Sequence, residues 1–284
     1  MRKIWVIARM TFRENVRKRI VLTGLVLGLL FLAVFSIGFR MVYVNALTNP
    51  EMMPSGALSR VMMSEATNML LLAGLYAVTF LSVAMGALLG ADTLSGEINS
   101  GTIQTIATKP VRRAEVVLGK WLGFAILLGL YSLLMSGGTV FSIWVQSGYL
   151  PQNMLLGVSL IYLEALLMMT LSLFCSSFLS GLATGGVVFG LYGLGFIGGW
   201  VEQIGTAIQN PTVVQVGIIT SLLIPSESLW RRASFEMQSP ISSALGISPF
   251  GSGAVPSPLM VGYAAIYLLF FLWAAVSTLE KRDL

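Results

Sequence analysis

The sequence predicts an all-α membrane protein with six transmembrane helices. The first observation is composition: of 284 residues 56% are hydrophobic and only 10% charged, where a soluble domain carries about 25% charged residues. The second is length: crossing a bilayer takes about 20 mostly apolar residues, and six runs meet this, at residues 20–39, 69–91, 121–145, 154–178, 181–201 and 259–279. The third is that the remaining segments are too short and scattered to form a separate soluble domain. The expectation is one transmembrane domain over residues 1–284.

Taken in order, residues 1–19 read as a helix. Ile4, Trp5, Ala8, Phe12 and Val16 gather on one side, and Arg9, Arg13 and Arg17 follow an i, i+4 line on another. It suits an interfacial helix on the membrane surface, although a basic flank that only sets topology would also fit. The first span is too long for the apolar region of a signal peptide and no A-x-A site follows it, so it reads as an uncleaved anchor. Pro50 and Pro54 break the loop that follows, read as residues 40–68. Spans three and four are joined by a short turn, residues 146–153, and spans four and five by the tight hairpin of residues 176–180.

Span five has small residues paired four apart at Gly181/Gly185, Gly186/Gly190 and Gly195/Gly199. That spacing lets helix backbones approach closely in lipid, either within the chain or between subunits. The longest loop, residues 202–257, contains the apolar run 213–224, ended by Pro225. Twelve residues are too few to span a bilayer as a helix, but they fit a re-entrant or interfacial element forming a lid over the outer mouth.

Charge distribution predicts orientation. Arg2, Lys3, Arg9, Arg13, Arg17, Lys18 and Arg19 precede the first span, Lys109, Arg112, Arg113 and Lys120 lie between spans two and three, and Lys281 and Arg282 follow the last. These thirteen of the seventeen basic residues fall on one side, which the positive-inside rule makes cytoplasmic, with both termini. Only Arg40, Arg60, Arg231 and Arg232 fall on the other. The predicted location is the cell (inner) membrane.

Within the cytoplasmic segment 92–120, the stretch GEINSGTIQTIATKPVRR raises the functional question. Gly101 and Thr102 look like a helix start, Ile103, Ile106 and Ala107 repeat at three and four, and Lys109-Pro110 stops the element after about two turns. A short amphipathic helix results, whose apolar stripe either meets a partner or lies among headgroups.

These residues resemble a family. The run Glu97-x-x-x-Gly101-Thr102, followed by Lys109-Pro110, Arg113 and Gly119-Lys120, is similar to the signature of type-2 ATP-binding cassette (ABC) transporter permeases. The N-terminal helix and the closing Glu280-Lys-Arg-Asp-Leu284 also resemble that family, so the likeness runs the whole length. The resemblance implies that the segment between spans two and three is a coupling helix docking on a separate ATPase subunit, with Glu97, Gly101, Thr102, Ile103, Ile106, Lys109, Pro110 and Arg113 in that contact. It also implies that Arg9, Arg13 and Arg17 sit on a connecting helix, that ATP and Mg are bound by the partner, that a second permease copy or a related permease completes the transporter, and that the direction is export. The region between spans five and six is longer than in the most compact members, so lid details do not carry over.

The chemistry absent from the sequence narrows the alternatives. No G-x-x-x-x-G-K-[ST] motif occurs, so the chain has no P-loop of its own to cradle ATP phosphates. With no histidine, one cysteine (Cys175) and only Asp92 and Asp283 as aspartates, serine-histidine and aspartyl proteolysis and a zinc site all lack their residues. Met52-Met53 and Met62-Met63 could offer thioethers to copper(I), but without nearby cysteine or histidine they read as packing or lipid-facing residues. The rival reading is an ion-coupled secondary transporter built on Glu164, the only acidic or basic side chain within the predicted spans. An acid at that depth is protonated, paired, or facing a wet cavity. The residue is either a carboxyl hydrogen-bonded to Ser132, Ser136 or Thr139, or a group of the transport pathway.

Overall fold

The computed structural model describes residues 2–48, 57–91, 93, 112–245 and 255–281. Every regular element among the described residues is a helix: α1 Arg2–Val16, α2 Arg19–Thr48, α3 Ala57–Ala91, α4 Arg113–Ser147, α5 Met154–Cys175, α6 Gly181–Ala207, α7 Pro211–Leu223, α8 Ser226–Met237, α9 Pro240–Leu245 and α10 Pro258–Lys281. Six of these, α2 to α6 and α10, are long and apolar enough to cross a membrane. Several run past the predicted spans. The segment read as a loop from residue 40 is helical to Thr48, and α3 begins at Ala57, so Met62 and Met63 are helical residues. The segment read as a loop from Glu202 begins with the last turns of α6.

The bundle is organised around α5, whose 22 residues are apolar nearly all round; such a helix has no polar face to give to solvent and is buried on all sides. It packs against α3, α4, α6, α8 and α10. Glycine sets the closest approach: a Cβ on Gly86 of α3 would stand 2.8 Å from the Ala165 carbonyl oxygen, and one on Gly90 2.6 Å from the Ser172 Cβ. Between the same helices Ser172 Oγ donates to the Ala87 carbonyl at 2.6 Å, and between α4 and α5 Trp121 Nε1 donates to Thr170 Oγ1 at 2.8 Å. Where little water competes, such bonds add to close packing as the glue between helices.

The end of the bundle that carries α1 also holds the start of α4 and the end of α10. There α1 crosses α4 at two glycines. A Cβ on Gly119 would meet Ile7 at 2.7 Å, and one on Gly123 would meet the Ala8 carbonyl at 2.7 Å. The buried face of α1 is therefore centred on Ala8, Thr11 and Asn15. The expected face included Trp5 and Val16, but both are exposed, because the close approach at Gly119 and Gly123 turns the side of α1 that carries Ile7, Ala8 and Thr11 toward α4. Arg113 Nη1 donates to the carbonyls of Leu279 (3.1 Å) and Glu280 (3.5 Å), closing the last turn of α10 onto the first of α4. Beneath it Val117, Leu173, Ala275 and Leu279 form a small core of their own.

At the far end, α7 and α8 form a helix pair bent by 102°. Asn210 caps α7 by accepting from the Thr212 and Val213 backbone N–H groups, with Pro211 in the first turn. Pro225 follows the last turn of α7, where a continued helix would need its missing N–H. α7 folds back along α6, with Gly205 against Val214, Gly217 against Glu202 and Gly198 against Thr220. α8 then crosses to α5, where Met237 fills the space over Gly157.

Candidate functional site

Glu164 lies on α5 with no solvent exposure. Neither carboxyl oxygen has a hydrogen bond among the described residues, and the hydroxyls of Ser132 and Ser136 on α4 are likewise without partners there. Thr139, the third expected partner, donates back along its own helix to the Met135 carbonyl at 2.9 Å. The hydroxyl cradle anticipated for Glu164 is therefore not formed. The Thr139 hydroxyl is occupied by an i−4 bond common for threonine in apolar helices.

Glu227 of α8 is near enough to act on Glu164 electrostatically, and Glu164 in turn acts on Tyr76 of α3 and Tyr192 of α6. Aromatic rings fill the space between these elements. Tyr76 lies 4.9 Å from Trp230 and 6.4 Å from Phe196 between ring centroids, and Phe80 lies 6.1 Å from Tyr192. The Tyr76 phenol oxygen also accepts from Trp200. One end of the cluster is thus an unpartnered carboxyl, and its walls are tyrosine and tryptophan rings that pair apolar faces with polar edges.

Glu227 is buried because α6 offers it a bare backbone: a Cβ on Gly199 would stand 2.3 Å from Glu227 Cγ. One turn further along α8, Arg231 Nη2 meets Glu202 Oε2 of α6 at 2.6 Å, with both side chains at least nine-tenths buried. Ser221 Oγ reaches the same carboxylate oxygen at 3.5 Å. This ion pair ties the α7–α8 hairpin to α6. Arg231 keeps Nε and Nη1 without hydrogen bonds among the described residues. Glu202, Glu227 and Arg231 were not singled out from the sequence, where they fell in a loop. The available signal was the segment SESLWRRASFEM, in which Glu227 and Arg231 stand four apart on an amphipathic helix.

Closer to the far end a second polar network fixes α8 and α9 to α3. Asn68 Nδ2 donates to the Tyr149 hydroxyl (2.8 Å) and to the Met237 carbonyl (3.1 Å), while its Oδ1 accepts from the Ser239 N–H at 3.3 Å. Glu65 accepts from the hydroxyls of Ser239 and Ser242. Burial pushes the Tyr149 phenol above its ordinary range, and the nearby Glu65 adds to this.

Of the residues expected to contact an ATPase, Glu97, Gly101, Thr102, Ile103, Ile106, Lys109 and Pro110 lie outside the described residues. Arg113 is described, and its side chain closes α10 as set out above. Arg9 and Arg13 are exposed on α1, and Arg17 is exposed just past its end. These three are at the α1 end of the bundle, as are the end of α3 and the start of α4. Glu164 is well inside the helical bundle, with the α7–α8 pair packed over it from the opposite end.

Two curated relatives share part of this sequence. The chain is 31% identical over 137 residues to the "Probable ABC transporter permease protein NosY" of Stutzerimonas stutzeri, covering 48% of this chain and 44% of that protein. It is 33% identical over 79 residues to the protein of the same name from Pseudomonas aeruginosa, covering 28% of this chain and 29% of that one. The matched stretches thus span less than half the length of either relative. A broader match comes from the family of proteins described as "ABC-2 family transporter protein", which residues 5–284 fit from the first turn of α1 to the last residue. That extent, together with six helices able to cross a membrane, makes this chain a multi-pass member of the ABC-2 transporter family.

Proposed function

We propose that the chain is the membrane-spanning permease subunit of an ATP-driven exporter, with ATP and Mg bound by a separate ATPase subunit. The observation that carries this reading is the extent of the family match, residues 5–284, and the shared name of the curated relatives points the same way. The end of the bundle that carries α1 is the cytoplasmic face: Arg9, Arg13, Arg17, Lys18, Arg19, Arg112, Arg113, Lys120 and Lys281 gather there, whereas Arg40, Arg60, Arg231 and Arg232 lie toward the opposite end. In this reading the segment between α3 and α4 supplies the coupling helix.

In this reading the α7–α8 pair is a re-entrant lid on the external side. From Ala207 back to the level of Gly195, where Ser226 packs, is twelve residues of α6, or about 18 Å of helix. Non-helical backbone at such a depth is tolerated where protein covers it, and α6 covers the bend with glycine. Glu164, Tyr76 and Tyr192 line the pathway beneath it. A second permease copy would dock on the open half of α6, where Cβ atoms on Gly185, Gly186, Gly190 and Gly193 would meet nothing within 4 Å. The ion-coupled alternative has Glu164 as its sole basis, and family membership favours an ATP-driven pump over it.

The experiment is coexpression with a candidate ABC ATPase subunit, followed by pull-down and ATP-driven transport in vesicles. Ile106→Asp should abolish both while leaving membrane insertion intact, since a charge placed in an apolar groove is left unpaired and costs several kcal/mol. Full pull-down and undiminished transport would sink the coupling assignment.

A further inference from the structure

Between α2 and α3, at the end that carries α1, a groove of about 300 Å³ opens on the side of the bundle. Its mouth is marked by Arg19, and its walls are Leu27 of α2 and Leu81, Met85 and Leu88 of α3, with Tyr131 of α4 behind. The groove exists because α2 is the most loosely packed span. Only 11% of its most apolar window is buried, against 56% for α3, α4 and α5. Gly24 lets α2 come close to α3 at the floor of the groove, where a Cβ would stand 2.9 Å from Met85 Sδ, and the Tyr131 hydroxyl donates to the Gly24 carbonyl at 3.3 Å.

The depth and charge of the groove suit one class of occupant. From Arg19 to Leu27 is eight residues, or about 12 Å along a helix axis, so the groove runs from the edge of the apolar span into its interior. The Arg19 side chain is exposed and makes no hydrogen bond or ion pair among the described residues, and the same is true of the Arg17 side chain. Lys18 adds a third cation at the rim, paired only with exposed Glu14 at 3.3 Å. Cationic side chains at a helix end over an apolar slot provide a phosphate contact above and an acyl contact below, the arrangement by which basic pockets between spans hold anionic lipid headgroups.

We propose that this groove binds an anionic phospholipid, with the phosphodiester on Arg19 and one acyl chain lying between α2 and α3 over Gly24. The site places a lipid at the junction of α1 and α2, so that the packing of the loosest span depends on the leaflet around it.

The test is native mass spectrometry of the purified full chain, titrated with phosphatidylglycerol or with phosphatidylcholine of the same acyl composition. The expected result is tighter binding of phosphatidylglycerol at a single site, weakened about fivefold by Arg19→Gln, the usual effect of one basic residue at a charged lipid surface. Arg40→Gln, at the other end of α2, should leave it unchanged. Gly24→Leu should remove the bound lipid, and Leu27→Ser, which keeps the backbone free of strain, should weaken it if Gly24→Leu fails to fold. Glycerol phosphate should not compete. Equal binding of the two lipids, retention by Arg19→Gln, or full competition by glycerol phosphate would each overturn the proposal. So would loss of self-association in Gly24→Leu with lipid binding intact, which would make the groove a protein contact.

Discussion

Along α6, the glycines from Gly195 to Gly205 are filled by the α7–α8 hairpin, whereas Gly185, Gly186, Gly190 and Gly193 meet nothing within 4 Å. Both halves carry a glycine pair four apart, Gly195/Gly199 and Gly186/Gly190, so that spacing alone does not say what a glycine stripe is for. In the filled half the bare backbone admits Thr220, Ile224 and Glu227 of the same chain, and an ion pair locks them in place. In the open half the helix presents a smooth face flanked by exposed Leu182, Leu194 and Ile197.

The largest effect expected from breaking this contrast is at the lock. Arg231→Met leaves Glu202 buried without its counter-charge, a change that costs about 3–5 kcal/mol for a buried pair. Thermal unfolding of the purified chain should show it, and adding Glu202→Gln should restore much of the loss. If the single variant unfolds like the parent, the pair does not hold the hairpin. Next comes packing. Gly199→Leu drives a side chain into Glu227, whose Cγ would lie 2.3 Å from the first added carbon, and overpacking of this kind costs about 1–3 kcal/mol or more. Gly186→Leu, thirteen residues earlier on the same helix, should change unfolding by no more than about 0.5 kcal/mol. Its effect should instead be a smaller dimeric fraction in vesicles, read by crosslinking or single-molecule photobleaching. Equal destabilisation by the two would erase the distinction between the halves.

A small change in stability is also expected at Glu164. It has no protein hydrogen bond to lose, so Glu164→Gln should leave unfolding within about 1 kcal/mol of the parent. Transport by the reconstituted pair should nevertheless fall if the carboxyl serves the pathway. Wild-type rates for cargos of several charges would remove Glu164 from it.

The six spans were legible because apolar length survives any packing arrangement. Their ends were less so. Residues 40–48 mix Arg40 and Asn45 among valines and a tyrosine, and a hydropathy window stops at the first charge although the helix does not. Glu202 was read as the start of a loop for the same reason. Its charge is met by Arg231, 29 residues away, and no local pattern carries that pairing. The N-terminal helix shows the converse error. Of the expected face Ala8 is buried and Phe12 packs on the core, but the crossing at Gly119 and Gly123 turns Trp5 and Val16 outward. Glu164 stood out because one acid in an oily helix is conspicuous; its neighbours Tyr76, Tyr192 and Glu227 come from three other helices, and only the fold collects them.

The bond from Arg113 to the carbonyls of Leu279 and Glu280 has a mechanical meaning. It joins the first residue of α4 to the last turn of α10, beside the small apolar core that Val117 of α4 shares with Ala275 and Leu279 of α10. With that joint in place, an axial thrust on the head of α4 reaches α10 without passing through the centre of the bundle, and the two helices travel as one strut.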